Sequence, residues 1–217
     1  MKEQQDHSVV TKWGGRAERY RDFRRTEVRA HDTFGVQPLQ FGHAYHYEAW
    51  VLERFAPDTQ SMTRTLTEVS AIIDGVERRA TATFVVTRRD GSKQYVLATK
   101  AAGKTSALSA LRRIAKANGA AVKHLTRDEI RAQIADFWFW ERLRQVATMW
   151  VNKGHDLDDI LVALVISGRT SLVDICAQMD APRDLIRARL ARLHIAGRLL
   201  IQRAGGELRA SAIEERA

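Results

Sequence analysis

One cysteine, Cys176, stands in a chain of 217 residues. A single thiol excludes an internal disulfide, points to a reducing compartment, and rules out a zinc site built on several cysteines. Long apolar runs are missing too. The longest, ILVALVI from Ile160 to Ile166, is far too short to cross a bilayer. The opening residues, MKEQQDHSVV, lack the apolar core of a signal peptide. The expectation is a cytoplasmic protein with no membrane partner. There is no internal repeat and no low-complexity tract. A composition of 45% hydrophobic and 28% charged residues describes a globular chain, long enough for one sizeable domain and a smaller one.

Acidic residues are scarce in one region only. Net charge is +9. Residues 1–60 carry 9 Lys/Arg against 9 Asp/Glu, residues 61–125 carry 12 against 4, and residues 126–217 carry 14 against 13. The middle segment therefore holds nearly all the excess. A basic field confined to one part of an otherwise neutral chain suits a polyanion, most simply nucleic acid.

Residues 1–40 mix arginines, glycines and one proline without clear periodicity, and read as a basic arm with one short helix around Arg16 to Arg25. From His43 to Phe55, the residues Tyr47, Trp50, Val51 and Phe55 recur at helical spacing, and APDTQ ends that helix. The β-branched segments TRTLTEVSAI and GVERRATATFVVTRR follow, with hairpin turns at Asp74-Gly75 and Asp90-Gly91, and then KQYVLATK as a further strand. TSALSALRRIAKANG predicts a helix with Leu108, Leu111 and Ile114 inward and Arg112, Arg113 and Lys116 outward. GAAVKHLT reads as a short strand before a helix from Arg127 to about Trp150. Residues 41–150 thus predict an α/β domain of mixed sheet and flanking helices.

A second unit spans 156–217. DLDDILVALVISG predicts an apolar helix closed by Gly168, and TSLVDICAQM a short one capped by Thr170 or Ser171. PRDLIRARLARLHIAG predicts a third, with Pro182 in its first turn. GRLLIQRAGGELRAS closes the unit as strand, turn and strand. Three helices and a ribbon describe a winged helix-turn-helix. Its third helix would enter the major groove with Arg183 and Arg187, while Arg189 and Arg192 reach phosphates and Arg203 contacts DNA from the wing. Arginine suits both tasks because its planar fork binds guanine or phosphate bidentately.

The segment RRATATFVVTRRDGSKQYVLATK, Arg78 to Lys100, has a hairpin where many nucleases hold a metal. Such enzymes need hard oxygen ligands for Mg²⁺ and a cation to steady charge at phosphorus. Here Thr83 and Ala98 occupy the ligand positions. YEAWVLERF with Glu48, TATF, VLATK with Lys100, and LRRIAKANGAAVKHLTRDEIR follow the order of the TnsA-type transposon endonucleases, of the restriction-endonuclease-like superfamily. The chain resembles that family over roughly residues 40–210, through order and spacing more than identity. The resemblance implies a restriction-endonuclease-like domain followed by a winged helix. It also implies that Glu48 and Lys100 are retained family positions, whereas Thr83 replaces the metal-bridging aspartate and Ala98 the second ligand. A carboxylate and a lysine do not make an octahedral Mg²⁺ site. The domain is therefore expected to be catalytically inactive, with no cofactor.

Without carboxylates the cleft becomes more positive, ringed by Arg78, Arg79, Arg88, Arg89, Lys93, Lys100 and Lys104, and suited to a duplex backbone. The resulting expectation is a bacterial, nucleoid-associated protein that binds double-stranded DNA. On the resemblance, it would recognise mobile-element DNA for recombination or transposition beside a recombinase or transposase partner, with a homodimer left open. Two other readings stay in play: a Mg²⁺-dependent endonuclease with a rearranged site, and a transcription regulator using both basic surfaces. AAGKTS lacks the first glycine of a phosphate loop, since Ala98 stands there. His43 and His46 have no acidic or cysteine partner nearby for a metal. FWFWERL, Phe137 to Leu143, is expected to be a core between the two units.

Overall fold

The structure, a computed structural model, describes residues 18–22, 25–31, 38–63, 66–103 and 105–213. The described residues begin with strands rather than a helix. β1 (Glu18–Asp22), β2 (Arg25–His31) and β3 (Pro38–Phe41) form an antiparallel sheet in that order. The helix expected up to Arg25 is thus corrected, and so is the boundary at residue 40, which falls inside β3. Val28 lies opposite Phe41 and Ala30 opposite Leu39, and all four are buried. A period of two puts both residues of each strand on one face, and that face closes on the next helix. Phe41 meets Tyr47 and Trp50 edge-on, with ring centroids 5.3 and 6.0 Å apart.

That helix, α1 (Ala44–Arg54), matches the predicted span within its ends. It is enclosed on nearly every side, from His46 to Val51 and again at Glu53 and Arg54. A four-stranded mixed sheet lies against it, ordered β4 (Thr59–Met62), β7 (Phe84–Arg88), β8 (Lys93–Thr99) and β9 (Ala121–Thr126). β4–β7 and β7–β8 are antiparallel, whereas β8 and β9 run parallel, joined by the crossover helix α2 (Ser106–Ala117). Thr105 caps α2 by accepting from the Leu108 amide at 3.0 Å, and Leu108, Leu111 and Ile114 point inward as predicted.

The long run Val76–Arg88 is not one strand. β5 (Thr67–Ile73) and β6 (Val76–Ala82) form a separate two-stranded sheet, and the chain crosses to β7 at Thr83. Asp74 and Gly75, with φ of 52° and 74°, make the tight turn between β5 and β6. Both central residues need positive φ in such a turn, which is why an Asp-Gly pair stands there. The helix expected from Arg127 is also divided, into α3 (Arg127–Ala132) and α4 (Ile134–Met149), at Gln133. Thr126 and Glu129 form a capping box that fixes the start of α3.

After a 3-10 turn at His155–Leu157 come α5 (Asp158–Ile166), α6 (Leu172–Ala177, capped by Ser171), α7 (Arg183–Ile195) and the ribbon β10 (Leu199–Ala204) and β11 (Glu207–Ala212). Pro182 is the residue before α7 rather than inside its first turn. The molecule is mixed α/β, with a mixed sheet and flanking helices. Among the described residues no helix is long and apolar enough to cross a membrane.

The two sequence halves share a core. Phe55 of the first stacks on Trp140 at 5.1 Å and on His194 of α7 at 6.2 Å. Trp140 of FWFWERL thus lies where the two units meet, as the segment's place between them predicted, whereas Trp138 is exposed. Arg89 reaches across as well, donating to the Pro57 carbonyl at 2.9 Å and to the His194 carbonyl at 2.8 Å. A cation at the C-terminal turn of α7 adds a second bond to the His194 carbonyl, which also accepts from the Gly197 amide, and opposes the helix dipole. Gly197, with φ of 76°, ends α7, and a β-carbon there would lie 1.9 Å from Arg89 Nη1.

Beneath this seam α4 buries two charges. Arg144, 0% exposed, donates from Nε and Nη2 to Glu141 at 2.8 and 3.0 Å, and Tyr47 donates its hydroxyl to the same carboxylate. Burial alone would lower the Arg144 pKa, but Glu141 and Tyr47 outweigh it and raise it; burial also pushes the Tyr47 hydroxyl well above 10. Arg144→Met strands the Glu141 carboxylate, so a loss of about 3–5 kcal/mol is expected. Glu141→Leu with Arg144→Met removes both charges and is expected to lose less. Urea unfolding of the three proteins measures the difference, and a double variant at least as unstable as the single would refute the coupling.

Candidate nucleic-acid interface

At Thr83 the chain leaves one sheet for another, and its three polar groups are all engaged. Its amide donates to the Val96 carbonyl at 2.8 Å, and its carbonyl accepts from the Leu66 amide at 2.7 Å. With the carbonyl turned to the β5 side, the hydroxyl accepts from the Ala98 amide at 2.9 Å. A short hydroxyl side chain thereby extends the β7–β8 ladder by one bond where the backbone cannot. Thr83 and Ala98, the two replaced ligand positions, are therefore brought together and are 2% and 4% exposed.

The Ala98 carbonyl accepts from His46 Nε2 at 3.2 Å. A carbonyl only accepts, so that nitrogen carries the proton. Burial, with the neighbouring His43 second, lowers His46 to about 4. It is neutral near pH 7.

Glu48 does not converge on this point. His46 touches β8 and Glu53 touches β7 and β9, which defines the sheet-facing side of α1. Successive residues turn by about 100°, so Glu48 lies on the roughly opposite side. It is buried there, and its Oε2 has no hydrogen-bond partner among the described residues. The wheel carried a signal that spacing along the motif did not: Glu53 shares a face with His46, and Glu48 does not. These residues do not fit Mg²⁺. Thr83 has its hydroxyl engaged, Ala98 offers no side-chain donor, and Glu48 faces away. Among the described residues no three metal-ligating side chains come together.

Glu53 instead anchors a closed charge cluster at the other end of the sheet. Arg88 donates to Glu53, Asp58 and Thr59, each at 2.9 Å, and to Gln94, while Lys123 pairs with the remaining Glu53 oxygen. The Arg88 side chain is 12% exposed and is withdrawn from the set of DNA contacts expected of it. Arg189 is withdrawn for the same reason: it is 3% exposed and grips both oxygens of Asp158 at 2.8 and 2.5 Å. Arg192 is half-buried, its pKa lowered by burial and then by Arg189. Arg203 turns back from the ribbon to Asp136 at 2.7 Å and lies over the Phe139 ring. Arg89 holds α7, as above. Arg79, though exposed, pairs with Glu77 and Glu68 at 2.9 and 3.3 Å.

α7 is enclosed nearly all round along its middle and end, with Ile186, Leu190 and Leu193 buried on one side, Ala188 and Ala191 on the roughly opposite one, and the His194 ring stacked with Phe55 and Trp140. Only its first turns, with Arg183 and Arg187, reach the surface, and Arg187 takes Asp184 at 3.0 Å.

The free cations lie elsewhere. Arg78, Lys93 and Lys100 are exposed and have no ion pair among the described residues; Lys104 falls outside those residues. Sequence reasoning placed Arg112, Arg113 and Lys116 on the outer side of α2 but did not count them as DNA contacts; they sit three and four apart or adjacent, exposed and likewise unpaired among the described residues. Between Gly91 and Thr126 the chain holds seven Lys/Arg and no Asp/Glu. The gap in acidic residues, read alongside the helix, is the signal that marks this face.

Comparison with protein-family models, with curated proteins and with solved structures finds no match for this chain.

His194 shares the protonation state of His46. Its Nε2 donates to the Phe55 carbonyl at 3.1 Å, its Nδ1 accepts from the Ile201 amide, and burial holds its pKa at about 4 against the opposing effect of the Phe55 bond. An unfolded histidine titrates near 6.5, so between about 6.5 and 4 the unfolded chain binds protons that the native chain refuses. The contribution of each ring, up to about 3 kcal/mol, is present above about pH 6.5 and is lost as pH falls to about 4. Urea unfolding at about pH 7 and about pH 4.5 is expected to show that loss, with a shallower dependence in His194→Gln. A flat profile would refute it.

Proposed function

We propose that this chain binds double-stranded DNA through the outer face of α2 together with Lys100, Lys93 and Arg78, and holds the duplex without cutting it. One observation carries the reading: an acid-free, exposed stripe of unpaired cations on α2, the helix that follows β8 and the exposed Lys100 just beyond its end. Such a stripe neutralises phosphates and releases their counterions, which gives strong, salt-dependent and largely sequence-independent affinity. A solvated helix face would normally interleave acids with its lysines and arginines.

The succession α1, β4, β7, β8, α2 and β9, with β8 and β9 parallel, supports a restriction-endonuclease-like core carrying β5–β6 as an inserted hairpin. The order α5, α6, α7 and the β10–β11 ribbon supports a winged helix-turn-helix unit. On that reading the chain is a nuclease-fold protein turned accessory factor, positioning mobile-element DNA for a recombinase or transposase, as the resemblance to TnsA-type endonucleases implies. The enclosure of α7 supports giving the larger share of DNA affinity to α2 and limiting α7 to its tip.

Binding to a duplex oligonucleotide, measured at several salt concentrations, is expected to weaken linearly in the logarithm of salt. Replacing Arg112, Arg113 and Lys116 by glutamine is expected to flatten the slope by roughly 2–3, at about 0.9 per lost phosphate contact. Arg183→Ala with Arg187→Ala is expected to change it less. Supercoiled plasmid is expected to stay closed in Mg²⁺ or Mn²⁺. Affinity indifferent to salt and to the α2 changes would end the DNA reading, and metal-dependent nicking abolished by Glu48→Ala would restore the nuclease.

A further inference from the structure

A cleft of about 220 Å³ opens where α4, α6, the start of α7 and the ribbon turn meet. Its walls are apolar: Phe139, Leu143 and Val146 from α4, with Leu172 and Leu208 opposite. Its rim is cationic. Arg183 and Arg187 stand one turn apart on α7, and Arg142 faces them from α4. Arg187 is tied to Asp184, but Arg142 and Arg183 have no acidic partner among the described residues. Glu207 is the one carboxylate on the lining, against three guanidinium groups.

Like charges gathered around one small concavity repel each other, and a bound anion relieves that repulsion. The apolar walls exclude a fully hydrated anion as the best fit, because displacing water from them is favourable only for an apolar body. We infer that this cleft binds a small amphiphilic anion, a carboxylate carried on an apolar chain or ring, with Arg142 and Arg183 holding the carboxylate and the α4 side chains holding the body. Arg142 is the discriminating residue, since no DNA contact is assigned to it and the α2 face is built by other elements. The inference shares Arg183 with the α7 tip of the proposed DNA contact but is tested apart from it, at Arg142 and without DNA.

Calorimetric titration of the full DNA-free chain with sodium octanoate tests it. A saturable one-to-one isotherm is expected for octanoate, and none for octan-1-ol or sodium sulfate at the same concentrations. Arg142→Gln, at an exposed position, is expected to weaken octanoate about tenfold through loss of a charged hydrogen bond. Val146→Trp, which fills the cleft, is expected to abolish binding, with unfolding midpoints of both variants confirming the fold. Absent octanoate binding, equal binding of octan-1-ol or sulfate, or octanoate affinity unchanged in the folded variants would each overturn the assignment.

Discussion

Glu141 and Arg144 lie on one turn of α4, both out of contact with water, and neither charge is tolerable there without the other. The two-pronged bond between them sets the position of most of what surrounds it. Tyr47 joins the carboxylate, so α1 is tied to α4 by a polar contact inside an otherwise apolar layer. With α4 fixed, Trp140 presents its ring to Phe55 and His194, and α7 seats against that stack. The C-terminal helices thus pack, through that aromatic stack, on a helix held by a charge pair in the preceding segment.

How much of this could be read in advance depends on how local the cause is. α2 was legible because a threonine cap and an apolar residue every third or fourth position are contained within its own sequence. The Asp74-Gly75 and Asp90-Gly91 turns were legible for the same reason. The N-terminal sheet was not, because its apolar positions come as isolated pairs, Val28 with Ala30 and Leu39 with Phe41, that gain meaning only when the strands align. The crossing at Thr83 was hidden inside an unbroken β-branched run, since what divides it is a neighbouring hairpin competing for a carbonyl.

Charge was the least legible property at the candidate interface. The sequence gives the number of arginines but not their partners. Arg88 meets Glu53, Arg189 meets Asp158, and Arg203 meets Asp136, each far apart along the chain and each closing a structural bond. What was visible, and under-used, was the reverse pattern: a long stretch with no acid at all needs no structure to reveal that its cations lack local partners. The vacated ligand positions show the same contrast. Their identity as threonine and alanine is plain from the sequence, but only the geometry explains why a hydroxyl suits that corner.

One contact has a reach beyond its own energy. The guanidinium of Arg89 lies in the space that any side chain at position 197 would need. The two positions therefore share a single volume. A side chain at 197 would push the flexible end of Arg89 aside, and so cost the cation its place at the end of α7. The dependence runs one way: an arginine at 89 keeps its hold on α7 only while 197 stays glycine, whereas the left-handed backbone at 197 favours glycine whatever stands at 89.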